Sequence, residues 1–233
     1  MKKLLCFINA RIIFLRIMLI VGILFICVTF LSSCLWKQGS PVNVVYKPAI
    51  KTASEQDIKI AETILKRRLD ELGYFSSLVK NDAKSSRIIV KKVLWKEDDF
   101  SKSPEEFFEK MGKSMKIIFQ EVDDSYHPVG NVLISGDQIR DAKIYSRNNQ
   151  YQIVMQLNSK GTRILAEVTE VKIGKHLGIF IDEKLIMAPQ ISGTIDDGYV
   201  QIDGFTKQKA KETALYMKTG NLPFHLEVVE ISK

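Results

Sequence analysis

The chain has 233 residues, 45% of them hydrophobic and 26% charged, with a formal net charge of +7. Lys2, Lys3, Arg11 and Arg16 stand in the first 33 residues with no acid beside them, so the remainder carries only +3. A nucleic-acid binder is not expected, because that remainder has no long Lys/Arg run interleaved with aromatics.

The first element is a basic stretch followed by an uncharged apolar run from Ile17 to Leu31, the layout of an export signal. Leu31-Ser32-Ser33-Cys34 closes it and resembles a bacterial lipobox, in which the Cys is lipidated and becomes the first mature residue. An uncleaved helix from Ile12 to Leu31, with Arg16 snorkelling, is the other reading and stays open. Cys6 and Cys27 fall in the part that a lipobox would remove, which would leave the mature chain without a disulfide or a free thiol. Two or more acyl chains on Cys34 would hold the protein stably at the membrane. Residues 1–33 are thus expected to be a signal peptide, and residues 34–41 a short polar tether.

Beyond the tether, β-branched Val42 to Tyr46 reads as a strand. Ser54 caps a helix with an apolar stripe of Ile58, Ala61, Leu65, Leu69 and Leu72, stopped at Gly73. Within it Lys66, Arg67 and Arg68 read as a solvated face. Phe75 to Val79 and Arg87 to Leu94 read as strands. Ser103-Pro104-Glu105-Glu106 is a capping box before Phe107, Phe108 and Met111. Met115 to Val122 returns as a strand, which completes a ferredoxin-like order of strand, helix, strand, strand, helix, strand.

The second half begins with a short helix around Gly136 to Ala142. Tyr151 to Leu157 alternates as a strand, Ser159 caps a helix, and Leu177 to Ile181 is a short buried strand with Asp182-Glu183 as its turn. Tyr199 to Asp203 is a strand, Thr206 opens a helix ended by Gly220, and Phe224 to Ile231 is the last strand.

Chemical motifs are missing. His127, His176 and His225 lie about fifty residues apart, so no pair has metal-ligand spacing. Asp123-Asp124 and Asp196-Asp197 read as turn residues, and the glycines fit neither phosphate-cradling motif. No G-x-S-x-G elbow or nucleophilic Cys is available. Neither an enzyme nor a cofactor or metal site is expected.

From "AETILKRRLDELGY" (61–74) onward the chain resembles the first extracytoplasmic domain of SecD, an accessory subunit of the protein-export channel. Arg67, Arg68, Leu69, Leu72 and Gly73 fit the helix end that opens the family's base. Gly136, Asp141-Ala142, Thr169, Asp182, Ala188-Pro189 with Ile191, Ile202-Gly204-Phe205-Thr206 and Gly220 with Leu222-Pro223 follow the order of motifs in its inserted head. The family's D-x-R-G-G segment is absent, and Glu183 stands where a Gly is common. No further membrane helices follow before Lys233, so a self-contained proton-driven motor is not expected.

The resemblance implies an α+β fold: a ferredoxin-like base with an inserted mixed α/β head. Residues 42–125 would be base-like and 126–222 head-like, with 223–233 a final strand returning to the base. Taken with the lipobox at Cys34, it implies a lipoprotein on the extracytoplasmic face of the cell membrane that assists export. It would bind emerging or unfolded secretory polypeptide, or dock on SecDF or SecYEG. Ile186, Met187 and Ile191 are the candidate contacts, since Met and Ile suit adaptable binding; the bland alternative is that they fill the head core. The competing function is an envelope adaptor that keeps the fold and binds an unrelated partner.

Overall fold

The structure, a computed structural model, describes residues 40–82, 85–98 and 100–232. The signal, Cys34 and most of the tether lie outside them.

The first sheet contains β1 (Val42–Pro48), β2 (Leu78–Asp82), β3 (Arg87–Val93) and β11 (Leu226–Ser232), in the antiparallel order β11-β1-β3-β2. Two helices cover it. α1 (Glu55–Glu71) begins where the Ser54 hydroxyl accepts the Asp57 N–H, and it buries Ile58, Ala61, Ile64, Leu65 and Leu69. α2 (Pro104–Met111) is capped by Ser103, whose hydroxyl accepts the Glu106 N–H. The return bond of the expected capping box is displaced by one residue, because the Glu106 carboxylate accepts from the Lys102 N–H instead.

The order β1-α1-β2-β3-α2-β11 is ferredoxin-like, and the segment between α2 and β11 is an insertion. Its two ends meet: the Leu226 N–H donates to the Gly112 carbonyl at 2.8 Å, and a Cβ on Gly112 would collide with the Leu226 carbonyl. That close approach requires glycine.

The insertion carries two more antiparallel sheets. One has β4 (Ile117–Val122), β5 (Pro128–Ser135), β8 (His176–Ile181) and β9 (Lys184–Met187) in the order β5-β4-β8-β9. The other has β6 (Ile139–Arg147), β7 (Gln150–Leu157) and β10 (Tyr199–Phe205) in the order β10-β7-β6. α3 (Ser159–Val171) packs against β5 and β7, and α4 (Lys207–Thr219) packs across β6 and β7 and against α1. A single continuous core runs from Val42 to Leu226 through base and insertion alike.

Five local expectations are corrected. The strand after α2 does not close the first sheet. Its Ile117 and Phe119 pair with Ile181 and Ile179, and β11 takes the edge position instead, because sequence order does not distinguish a local from a distant partner. The short helix at 136–142 is a 3-10 turn over Gly136–Gln138, followed by strand β6. β6 joins β7 through Asn148 and Asn149, both at positive φ (51° and 61°), the pattern of a tight hairpin turn that asparagine tolerates. α3 is capped by Asn158, not Ser159, with the Asn158 side-chain oxygen accepting the Gly161 N–H at 3.0 Å. Phe75 lies before β2 and is 72% exposed. Arg68 is fully buried, so the basic triplet is not one solvated face.

Candidate functional site

The β5-β4-β8-β9 sheet has two unlike faces. Ile117, Phe119, Ile134, Leu177 and Ile179 point to the core on the side of α3, whose C-cap Lys172 reaches Glu121 at 2.6 Å. Alternation sends Ile118, Val122, Phe180 and Leu185 to the opposite face. Val122 and Phe180 are buried yet stand outside the continuous core. They pack together over Gly178, where a Cβ would lie 2.7 Å from both Phe180 Cε2 and Val122 Cγ1. Ile118 and Leu185 flank them half-exposed, and Tyr126 packs edge-on against His176 at 5.7 Å beyond Val122. The result is an apolar strip on a sheet face that faces away from α3.

The β8–β9 hairpin shapes one rim of this sheet. Asp182 and Glu183 are both at positive φ (49° and 68°), which suits a two-residue turn matched to strand twist. A bulge follows: Phe180 pairs with Leu185 and Ile179 with Met187, leaving Ile186 as the extra residue. Ile186 and Met187 are half-buried against the core edge, while Ile191 is 5% exposed and belongs to the core. Ile191 therefore offers no contact surface. Val122, Phe180 and Leu185 were not singled out from sequence; the signal available was a fully apolar Leu177–Ile181 run holding one glycine, which lets both faces of the strand be apolar.

A second cluster sits where the insertion joins the base. Arg68 Nη1 donates to the Met111 and Lys113 carbonyls at 2.7 Å each, and Nη2 reaches the Gly220 carbonyl at 3.4 Å. Its guanidinium lies 4.4 Å from the Tyr216 ring centroid. Burial pulls the guanidinium down to about 10, opposed by Tyr216, Tyr46 and Glu212, so it is a cation at neutral pH. One side chain thus holds both connections to the inserted subdomain. The Tyr216 hydroxyl donates to the Lys110 carbonyl at 2.8 Å and lies 3.2 Å from Glu212.

The polar residues do not converge on a reactive centre. His127 is exposed and 3.6 Å from Asp123, whose carboxyl is held below its ordinary range first by the His127 backbone N–H. No group of three or more His, Cys, Asp or Glu among the described residues could hold a metal. None of the helices among the described residues is long and apolar enough to cross a membrane.

Residues 114–224 match the family model "SecDF, P1 head subdomain", nearly the same segment that topology marks as the insertion. The protein translocase subunit SecD of Acidaminococcus fermentans is 29% identical over 169 residues, covering 72% of this chain and 37% of that protein. SecD of Rickettsia bellii is 32% identical over 147 residues, covering 52% of this chain and 29% of that protein. The chain thus spans about a third of the length of these relatives. Among solved structures, a chain of the membrane component SecDF, described as enhancing protein export, superposes with a TM-score of 0.67 at 22% identity, covering 82% of this chain and 99% of that one. At that identity the likeness speaks for the fold alone.

Proposed function

We propose, from the match of residues 114–224 to the SecDF P1 head subdomain, that this chain assists protein export as an extracytoplasmic domain tethered to the membrane through lipid on Cys34. It holds emerging or unfolded secretory polypeptide beside the Sec translocon, and no catalytic step is assigned to it. The family likeness supports the export role. The observation that supports polypeptide holding is the apolar strip of Ile118, Val122, Phe180 and Leu185 on the head sheet face away from α3. Ile118 and Leu185 are half-exposed on it beside the buried Val122 and Phe180, and partly exposed apolar side chains suit contact with an unfolded chain, which offers apolar side chains without fixed sequence. The tether at 34–41 would let the folded body stand at most about 27 Å from the lipid, at roughly 3.4 Å per residue.

The test places a photo-crosslinking residue at Leu185, on the strip, and at Met187, on its rim, in cells carrying an arrested secretory chain. A crosslink from Leu185 to that chain, lost in Cys34→Ala, supports the tethered holder. A crosslink only to one folded envelope protein moves the assignment to the adaptor. An unchanged membrane fraction for Cys34→Ala would instead favour an uncleaved N-terminal helix as the anchor.

A further inference from the structure

A groove runs between the base and the inserted subdomain along β6. One part, of about 620 Å³, lies among Lys59, Ile60 and Arg67 of α1, Ile139 and Arg140 of β6, and the end of α4. A second part, of about 500 Å³, continues among Leu72, Ala142–Tyr145 and Leu215. Lys218, ion-paired with Glu71, lines both.

Three features of this groove point the same way. First, β6 is an edge strand: it pairs with β7 and, among the described residues, with no other strand. Every second residue of such a strand turns its N–H and C=O outward. The Ala142 N–H is met by the Asp141 carboxylate of its own strand at 2.8 Å, a side chain occupying the position where a neighbouring strand would supply a carbonyl. Second, Lys59, Arg67 and Arg140 are exposed and have no carboxylate partner among the described residues. Arg140 is the extra residue of a bulge between Ile139 and Asp141, a device that re-aims a side chain, and it lines the groove. The acid of this part, Asp137, is engaged by the Ser135 hydroxyl. Third, Ile60 (41% exposed) and Ile144 (37% exposed) supply apolar surface in the two parts.

We infer that this groove is a second binding site, which takes an extended acidic segment of polypeptide as an added strand on β6. Backbone bonds to β6 supply sequence-tolerant affinity, as in strand addition generally. Carboxylates set against Lys59, Arg67 and Arg140 select acidic over basic segments, and alternate apolar residues cover Ile60 and Ile144. The inference rests on the polypeptide-holding reading for the class of ligand, but on a different surface of the molecule.

The test uses the full chain in detergent, titrated with fluorescent ten-residue peptides that alternate Val with Glu or Val with Lys, and followed by hydrogen exchange. The Val/Glu peptide is expected to bind, to weaken as salt rises, and to slow exchange of alternate amides in 141–145. Arg67→Glu with Arg140→Glu, both at exposed positions, is expected to weaken it by about tenfold or more. Equal binding of both peptides, no affinity change on charge reversal, or protection that misses β6 overturns the site. Leu185→Asp, at a half-exposed position of the strip, separates the two readings. It should abolish capture of an apolar unfolded chain while leaving the Val/Glu peptide bound, whereas the charge reversal should do the opposite.

Discussion

Arg68 of α1 lies over the ring of Tyr216 of α4, 4.4 Å from its centroid, and this pair joins the two helices at the root of the inserted subdomain. The same guanidinium bonds the carbonyls of Met111, Lys113 and Gly220, on the outgoing and the returning chain. A buried cation without a direct carboxylate partner among the described residues is stable here because carbonyl dipoles and an aromatic face replace water.

Arg68→Met should therefore lower the unfolding free energy by about 3 kcal/mol or more, since it strands several buried carbonyls. Arg68→Lys should cost less, on the order of 1–2 kcal/mol, because an ammonium keeps the charge but not the planar fork. Urea denaturation of the three proteins checks the order. Equal stability of Arg68→Met and the parent would remove Arg68 as the pin.

Alkaline pH should unfold the protein steeply. Burial raises the Tyr46 and Tyr216 hydroxyls above their ordinary value of 10.0. Above about pH 10 the unfolded chain loses these protons while the folded one retains them, so stability falls as pH rises. The slope is about 1.4 kcal/mol per pH unit for each tyrosine. Tyr216→Phe should flatten the decline by one tyrosine's share, read from thermal melts between pH 9 and pH 11.

Gly178→Ala puts a methyl 2.7 Å from Phe180 and Val122. Overpacking of this kind costs about 1–3 kcal/mol, and it should push the Phe180 ring outward and raise binding of an apolar dye. Gly193→Ala meets no atom within 4 Å and serves as the control, with stability essentially unchanged.

Asn158→Ala should destabilise by about 1 kcal/mol through loss of the α3 cap. Ser159→Ala, one residue inside the helix, should stay within about 0.5 kcal/mol. The reverse ranking in chemical denaturation would restore Ser159 as the cap.

Local rules were legible where one residue decides the outcome. Ser54, Ser103 and Thr206 cap the helices assigned to them, because a cap is set by a side chain and an N–H two or three residues away. Asn158 and Ser159 both satisfy that rule, and the choice between them depends on Asn158 also reaching the Asp137 carbonyl from its amide, a bond between distant segments. Of the candidate contacts, Ile186 and Met187 sit at a sheet rim and Ile191 in the core, although all three have the same apolar character in sequence.

By itself the sequence determined the helices, most strands, the α+β class and the likeness to SecD, since these depend on short-range period, caps and motif order. The departure of β4 from the first sheet, the burial of Arg68 and the place of Phe180 on the outer face of its sheet emerge only from the tertiary structure. Each of those outcomes depends on partners far along the chain: Arg68 and Gly220 lie 152 residues apart. A sheet face or a buried charge is defined by what packs against it, and neither propensity nor spacing carries that information.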